Sequence, residues 1–447
     1  MENNRLVVRA DQLYDGRSVH TDMTVVVEGR HIVDVTDRPC PGDIRGIVTP
    51  AFIDPHSHIG MERQGEPVLE TETDEHSTPF APLHNPLDSI YFDDRAFADA
   101  VDFGVLYSCV VPGSGNIIGG KAVIIKNFAE NRSDAVVSDY GFKAALGFNP
   151  RNAVRWKGTR PSTRMGAAAL LREYLSDIFR KEEQARIQKE KALYELSKPD
   201  SPKKGTVWAQ REYDLALSDA EWEVFRLFNG DKILKVHLHK ADDALFLLDL
   251  KKQFNIRVTA EHALDIYDSS IFNALADHGI PVVYGPLGAS DAKVELKNAS
   301  WRHTAKLMAS QATFGLMSDH PVILAHHLRD TLKYFLIQGM TPADAIGLIT
   351  RKNAEILGIG HCLGTVAPGR LASLIVWDKD PFHLSAHPLA VLAEGRIIRD
   401  RRGLPFEMNI PNEETAAAMN EIRQGKTEKV SLEQLRKEAK NGSGKEQ

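Results

Sequence analysis

Short runs of valine and isoleucine alternate with turn residues over the first fifty positions. Residues 6–9, 23–27 and 32–35 read as strands, and Glu28-Gly29-Arg30 between the last two reads as a hairpin turn. The same pattern returns near the other end, at 372–377, 391–393 and 397–398, with Glu394-Gly395-Arg396 as the turn. Two such pieces predict one small sheet domain shared by both chain ends. The middle of the chain has another rhythm. Compact apolar runs at 105–111, 140–146, 233–239, 256–261, 281–284 and 313–318 read as strands. Amphipathic helical patterns at 95–103, 242–254 and 270–278 stand between some of them. The intervals of 25 positions from His237 to His262 and 22 from His262 to Tyr284 fit successive βα units. Repeated βα units predict a parallel sheet, open or closed into a barrel.

One stretch breaks the rhythm. Residues 167–179 have helical apolar spacing, 180–191 are almost all charged, and two prolines follow within 198–204. The stretch 182–223 reads as a helical insertion over a barrel mouth, as an oligomer contact, or as a solvated surface excursion. The expected domains are therefore a first β part at 1–50, a barrel at 51–362, a second β part at 363–410, and a charged helix and tail at 411–447.

Composition narrows the partners. The 447 residues are 43% hydrophobic and 26% charged, with a net charge of -6, so no basic field exists to hold nucleic acid or an anionic membrane. No apolar run approaches the ~20 residues that cross a bilayer, and the polar start lacks a signal-peptide core. The three cysteines, Cys40, Cys109 and Cys362, form no motif and suit a reducing cytoplasm. A small-molecule substrate is the expected partner, and a homo-oligomer is left open.

The chemistry concentrates at strand ends. An apolar run ends in His56-Ser57-His58. Residues two apart on a strand share a face, so both imidazoles reach one ion. Later runs end in His237-Leu238-His239, Glu261-His262 and Ser318-Asp319. Such groups are costly to bury without partners. Their arrival in chain order predicts convergence at one barrel mouth, where barrel enzymes place their sites. Neutral imidazoles with a carboxylate suit Zn²⁺, with Fe²⁺ or Mn²⁺ as alternatives.

The segments PAFIDPHSH (50–58), PGSGNIIGG (112–120), TRMG (163–166), VHLHKADD (236–243), EHA (261–263), SDHPV (318–322) and LGTVAPGRLASLIVWDKDP (363–381) together resemble the amidohydrolase superfamily. Within it they are most similar to imidazolonepropionase-related enzymes. The resemblance implies a distorted (β/α)8 TIM barrel with a composite β-sandwich from both chain ends. It implies hydrolysis of a C–N bond, other than a peptide bond, in an amide or cyclic amide by metal-activated water. It implies His56, His58, His237, His262 and Asp319 as the metal residues, and a single ion on His56, His58, His237 and Asp319 as the leading arrangement. His262 would bind a second ion or polarise the substrate carbonyl, and Asp319 would handle the proton. His239 shares the face of His237 and either competes with it or meets substrate. Arg164 would clamp a substrate carboxylate, or form an ion pair on the rim.

One departure stands out. Relatives often read LGENP where this chain has Leu146-Gly147-Phe148-Asn149-Pro150. Phe148 cannot bridge two ions. Lys143, if carboxylated, would replace the missing carboxylate. Otherwise it is a lysine snorkelling from a strand end. The rival readings are a prolidase-like dipeptide hydrolase with two ions, a deaminase attacking a ring amidine, and a non-catalytic scaffold. His303 and His320 are expected near the mouth, and His326 and His327 as surface or packing residues. His76 and His84 fall in an acidic loop.

Overall fold

The computed structural model describes residues 5–151, 160–198, 205–289 and 293–402. The charged helix and tail expected over 411–447 lie outside the described residues, as does most of the predicted break at 198–204. The described residues of 5–400 form one compact unit.

The first sheet comes from both ends of the chain. β1 (Arg5–Tyr14), β2 (Val19–Glu28), β3 (His31–Thr36) and β4 (Ile44–Pro50) come from the start. The last three strands, β13 (Leu374–Trp377), β14 (Pro388–Ala393) and β15 (Arg396–Asp400), complete it in the order β15-β14-β13-β4-β1-β2-β3. β13 runs antiparallel to β4, with Val376 opposite Val48, and this pairing joins the two ends. Alternate residues Val8, Ala10, Val25, Val27, Val48, Leu374 and Val376 bury one face in a core of its own. Both predicted hairpin turns are present, between β2 and β3 and between β14 and β15.

The second sheet carries the candidate site. It contains β5 (Phe52–Ser57), β6 (Val105–Val110), β7 (Ile118–Lys126), β8 (Val136–Ala145), β9 (Ile233–Leu238), β10 (Arg257–His262), β11 (Val282–Tyr284) and β12 (Phe314–Leu316), hydrogen-bonded in sequence order. The sheet is nearly closed, as a distorted barrel requires. β5 pairs parallel with β6, and β8 to β12 are parallel neighbours, as the βα pattern predicts. β7 is antiparallel to both β6 and β8 and was not expected from the sequence pattern. Its apolar run, 122–125, follows the glycines closely and ends in Lys126. The helix Arg164–Leu196 merges the predicted apolar and charged stretches into one element. It buries Leu171, Leu175 and Ile178, and Tyr174 stacks on Phe80 at 4.2 Å between ring centres.

The seam between β5 and β12 is closed by side chain and loop. Asn353 donates from Nδ2 to Ile53 O at 2.7 Å on the first barrel strand and to Leu316 O at 2.8 Å on the last. Beyond the strands, Asp319 N–H donates to His56 O at 3.1 Å and His58 N–H to His320 O at 3.0 Å. Gly315 is required beneath the clamp, because a Cβ there would stand 1.8 Å from Asn353 Oδ1. Replacing Asn353 by Leu leaves two buried carbonyls without donors, a cost of roughly 2–4 kcal/mol. The expected result is a lower Tm by calorimetry, and an unchanged Tm would show that the clamp adds no stability.

Candidate metal centre

The closure brings the predicted strand-end residues to one end of the barrel, in two groups of three. His56, His58 and Asp319 form one group, and His237, His239 and His262 the other. Within each, the candidate ligand atoms lie within 4.8 Å of one another. The groups adjoin, with the His56 and His262 ring centres 5.0 Å apart. The leading sequence arrangement placed His237 with His56, His58 and Asp319. In the structure His237 packs instead against His262, with ring centres 4.2 Å apart, and against His239 at 4.8 Å.

The first group is oriented from behind. His56 Nδ1 lies 2.7 Å from Glu261 Oε2, and His58 Nδ1 lies 2.7 Å from Val111 O. Both partners only accept, so each Nδ1 carries the proton and each Nε2 presents a lone pair to the interior. Asp319 Oδ1 lies 3.5 Å from His56 Nε2 and 3.3 Å from His58 Nε2. Burial pushes His56 down to about 4, aided by the Lys143 ammonium, so it is neutral at pH 7. Burial would raise the Asp319 carboxyl, but the surrounding histidines, His262 first, hold it well below the usual carboxylate range.

The second group repeats this logic. His262 Nδ1 faces Gly285 O at 3.0 Å, and its Nε2 is buried without a hydrogen-bond partner among the described residues. His237 Nδ1 meets Ser114 Oγ at 3.0 Å. Burial first, then neighbouring imidazoles, keep His237 and His262 well below the ordinary histidine range. His262 and Asp319 adopt left-handed backbone, with φ of 74° and 53°. Such conformations cost ~1–3 kcal/mol and persist only where surroundings over-determine them. Here the bond from Ala263 N–H to Leu238 O at 2.9 Å and the Asp319–His56 backbone bond do so.

Lys143 is not a snorkelling lysine. It is 1% exposed, with Nζ 3.0 Å from Ser114 Oγ, 3.2 Å from Pro112 O and 3.4 Å from His56 Nε2. Burial pushes its amine down to about 8 against the pull of Asp319 and Glu261. The glycine-rich loop 112–120 delivers Ser114 to both Lys143 and His237. The acidic loop straps it down: Gly115 N–H donates to Asp74 Oδ1 at 2.7 Å, and Gly113 N–H to Thr73 O at 2.8 Å.

Arg164 is engaged elsewhere. Its Nη2 lies 2.6 Å from Asp243 Oδ1 and its Nη1 3.6 Å from Asp242 Oδ2, so the rim ion pair is what the structure contains. His320 is buried and its Nδ1 accepts Ala325 N–H at 3.2 Å. His303 Nδ1 lies 3.3 Å from Leu264 O. His326 packs on Phe103 at 5.3 Å between ring centres, and His327 lies 2.7 Å from Asp330.

Three partners were not singled out from sequence. Glu261 orients His56, Lys235 neutralises Glu261 at 3.0 Å, and Glu295 lies beside His237 and His239. The signal for Glu261 was its place on a buried strand, in register with His237 and with the parity of Thr259 rather than of His262. Glu295 gave none, because it sits in an irregular segment with no period.

The donor set fits a divalent ion: imidazoles whose Nδ1 is committed to an acceptor at His56, His58 and His262, plus a carboxylate kept ionised. A barrel carrying such residues at the end of its parallel strands is the architecture of a metal-centred barrel enzyme. The amidohydrolase family model matches residues 215–410. The amidohydrolase tasK of Hapsidospora irregularis is 24% identical over 377 residues, covering 78% of this chain and 36% of that protein. The chain thus spans about a third of the length of that curated relative. A solved amidohydrolase from Thermotoga maritima is 26% identical with a TM-score of 0.78, over 88% of this chain and 100% of the other. A Xaa-Pro dipeptidase with bound methionine shares the fold, with a TM-score of 0.52, 15% identity and coverage of 88% and 99%. These matches support a relation to the amidohydrolase superfamily. Among the described residues, no helix is long and apolar enough to cross a membrane.

Proposed function

We propose that this chain is a divalent-metal-dependent hydrolase that cleaves a C–N bond of a small amide or cyclic amide in the cytoplasm. The observation that carries the reading is orientation. His56 and His58 each commit Nδ1–H to a group that only accepts, leaving Nε2 lone pairs beside Asp319, and His262 commits its Nδ1–H in the same way within the adjoining group. A divalent ion held there, zinc first with iron or manganese as alternatives, would polarise the carbonyl and bring a water's pKa to ~7.

The chain's own residues supply the rest. Asp319, ionised by its histidine surroundings, is the general base that receives a proton and returns it to the leaving nitrogen. His262 is assigned as a ligand. With Nδ1–H directed at Gly285 O and the ring neutral, Nε2 has no proton to donate to a carbonyl. His239 stands beside His237 in the second group. Arg164 remains a candidate for a substrate carboxylate only if it leaves Asp243. The likeness to imidazolonepropionase-related enzymes favours a cyclic amide.

Lys143 favours a second reading, a two-ion dipeptide hydrolase. Its Nζ touches His56 of the first group and, through Ser114, His237 of the second, so a carboxylated side chain would stand between them.

The test is metal removal from the full chain. After chelation, hydrolysis of a panel of cyclic amides, N-acyl amino acids and dipeptides is expected to vanish and to return with Zn²⁺. Hydrolysis that persists in metal-free protein overturns the reading. So does a metal-loaded protein that hydrolyses nothing, as the scaffold alternative requires. Ammonia release from ring amidines would move the assignment to a deaminase.

A further inference from the structure

Glu295 sits in the short helical turn Val294–Leu296 after β11, and it is 4% exposed. Its two oxygens differ. Oε2 accepts the Phe148 N–H at 2.7 Å. Oε1 is buried with no hydrogen-bond partner among the described residues. A buried carboxylate oxygen left in that state costs several kcal/mol unless something else meets it. What surrounds it is specific: His237 Nε2 at 3.7 Å and His239 Nε2 at 4.0 Å. Both distances are too long for hydrogen bonds. They are close to the separation, roughly 3.4 Å, of two atoms that each lie ~2.1 Å from one tetrahedral ion.

The backbone leaves room for this carboxylate. Gly147 has φ +79°, and a Cβ there would stand 2.3 Å from Glu295 Oε2. The chain thus passes Leu146-Gly147-Phe148 with no side chain in the way and offers an N–H to hold the glutamate. At the same turn Phe148 provides no donor atom of its own. The carboxylate enters from the β11 loop instead.

We propose that Glu295, His237, His239 and His262 form a site for a second divalent cation, in which the carboxylate comes from Glu295 and not from a strand β8 side chain. The proposal rests on the metal-dependent reading above and deepens it. The His56, His58 and Asp319 group holds the first ion. The second is held by three imidazoles and one carboxylate, the donor types zinc prefers. Its formal charge balance also differs from a lysine-bridged pair, since the two ions have separate carboxylates.

The experiment counts ions. Full-length protein is stripped by chelation, dialysed against limiting free Zn²⁺, and its bound zinc measured by elemental analysis. Wild type is expected to hold two ions per chain. Glu295→Gln, which keeps an oxygen for the Phe148 N–H, is expected to hold one, as is His239→Asn. The metal-free Tm of Glu295→Gln is expected to match wild type, which separates a lost ligand from a lost fold. Zinc content of two in Glu295→Gln, with one in Lys143→Met, assigns the second carboxylate to the lysine and overturns the proposal. A wild type with a single ion that both Glu295→Gln and His239→Asn retain also overturns it, while leaving the metal-dependent reading intact. A wild type that binds no zinc fails that reading itself.

Discussion

Asp319→Asn is expected to lower hydrolysis by at least ~10²–10⁴-fold, the range that general acid–base catalysis contributes. The amide has nearly the same shape, and the backbone bond from residue 319 to His56 O remains, so the left-handed turn and the barrel closure should survive. What changes is proton affinity. Asp319 is ionised because histidines crowd it, with His58 Nε2 at 3.3 Å and His262 Nδ1 at 3.9 Å. Asparagine can neither accept a proton near neutral pH nor return one to a leaving nitrogen. It is also a poorer ligand, so metal content must be measured beside the rate. Excess Zn²⁺ separates the causes. Turnover that stays low with zinc bound supports the proton role. Turnover that returns to wild type with restored zinc reduces Asp319 to a ligand, and the acid–base assignment fails.

Much of this site is legible in the sequence, because strand ends have a simple rule. An apolar run of four to eight residues that finishes in His or Asp marks a polar group the fold must accommodate. His56, His58, His237, His262 and Asp319 all announce themselves this way. The two-ended sheet is equally plain, since Val8, Ala10 and Val25, Val27 alternate with period two on one face. Three features resist reading for different reasons. β7 is antiparallel in a chain whose other barrel strands suggest βα units, and parity cannot reveal direction. Lys143 looks like any strand lysine, since burial depends on the Ser114 loop folding over it. Glu295 lies in a segment without periodicity, and only three-dimensional closure brings it within 3.7 Å of His237.

The last of the large effects concerns stability as much as chemistry. Lys235, Glu261 and His56 form a buried chain in which all three side chains are fully inaccessible. Lys235 Nζ lies 3.0 Å from Glu261 Oε1, Thr259 Oγ1 donates to the same oxygen, and Glu261 Oε2 accepts from His56. Burial alone would raise the Glu261 carboxyl, but the Lys235 ammonium and the His56 hydrogen bond bring it down to about 2. Glu261→Gln keeps the shape and removes the negative charge. Lys235 is then a buried ammonium without a counterion, which typically costs ~3–5 kcal/mol. His56 also loses its anionic anchor, and removal of such a partner weakens metal affinity by ~10–100-fold. The expected result is a lower Tm in metal-free Glu261→Gln and a weaker zinc affinity in the same variant. Adding Lys235→Met removes the stranded charge, so the double variant should recover most of the Tm. It cannot recover the zinc affinity, because the His56 anchor is still missing. A double variant that regains both would mean that Glu261 serves the fold alone and that His56 is oriented without it.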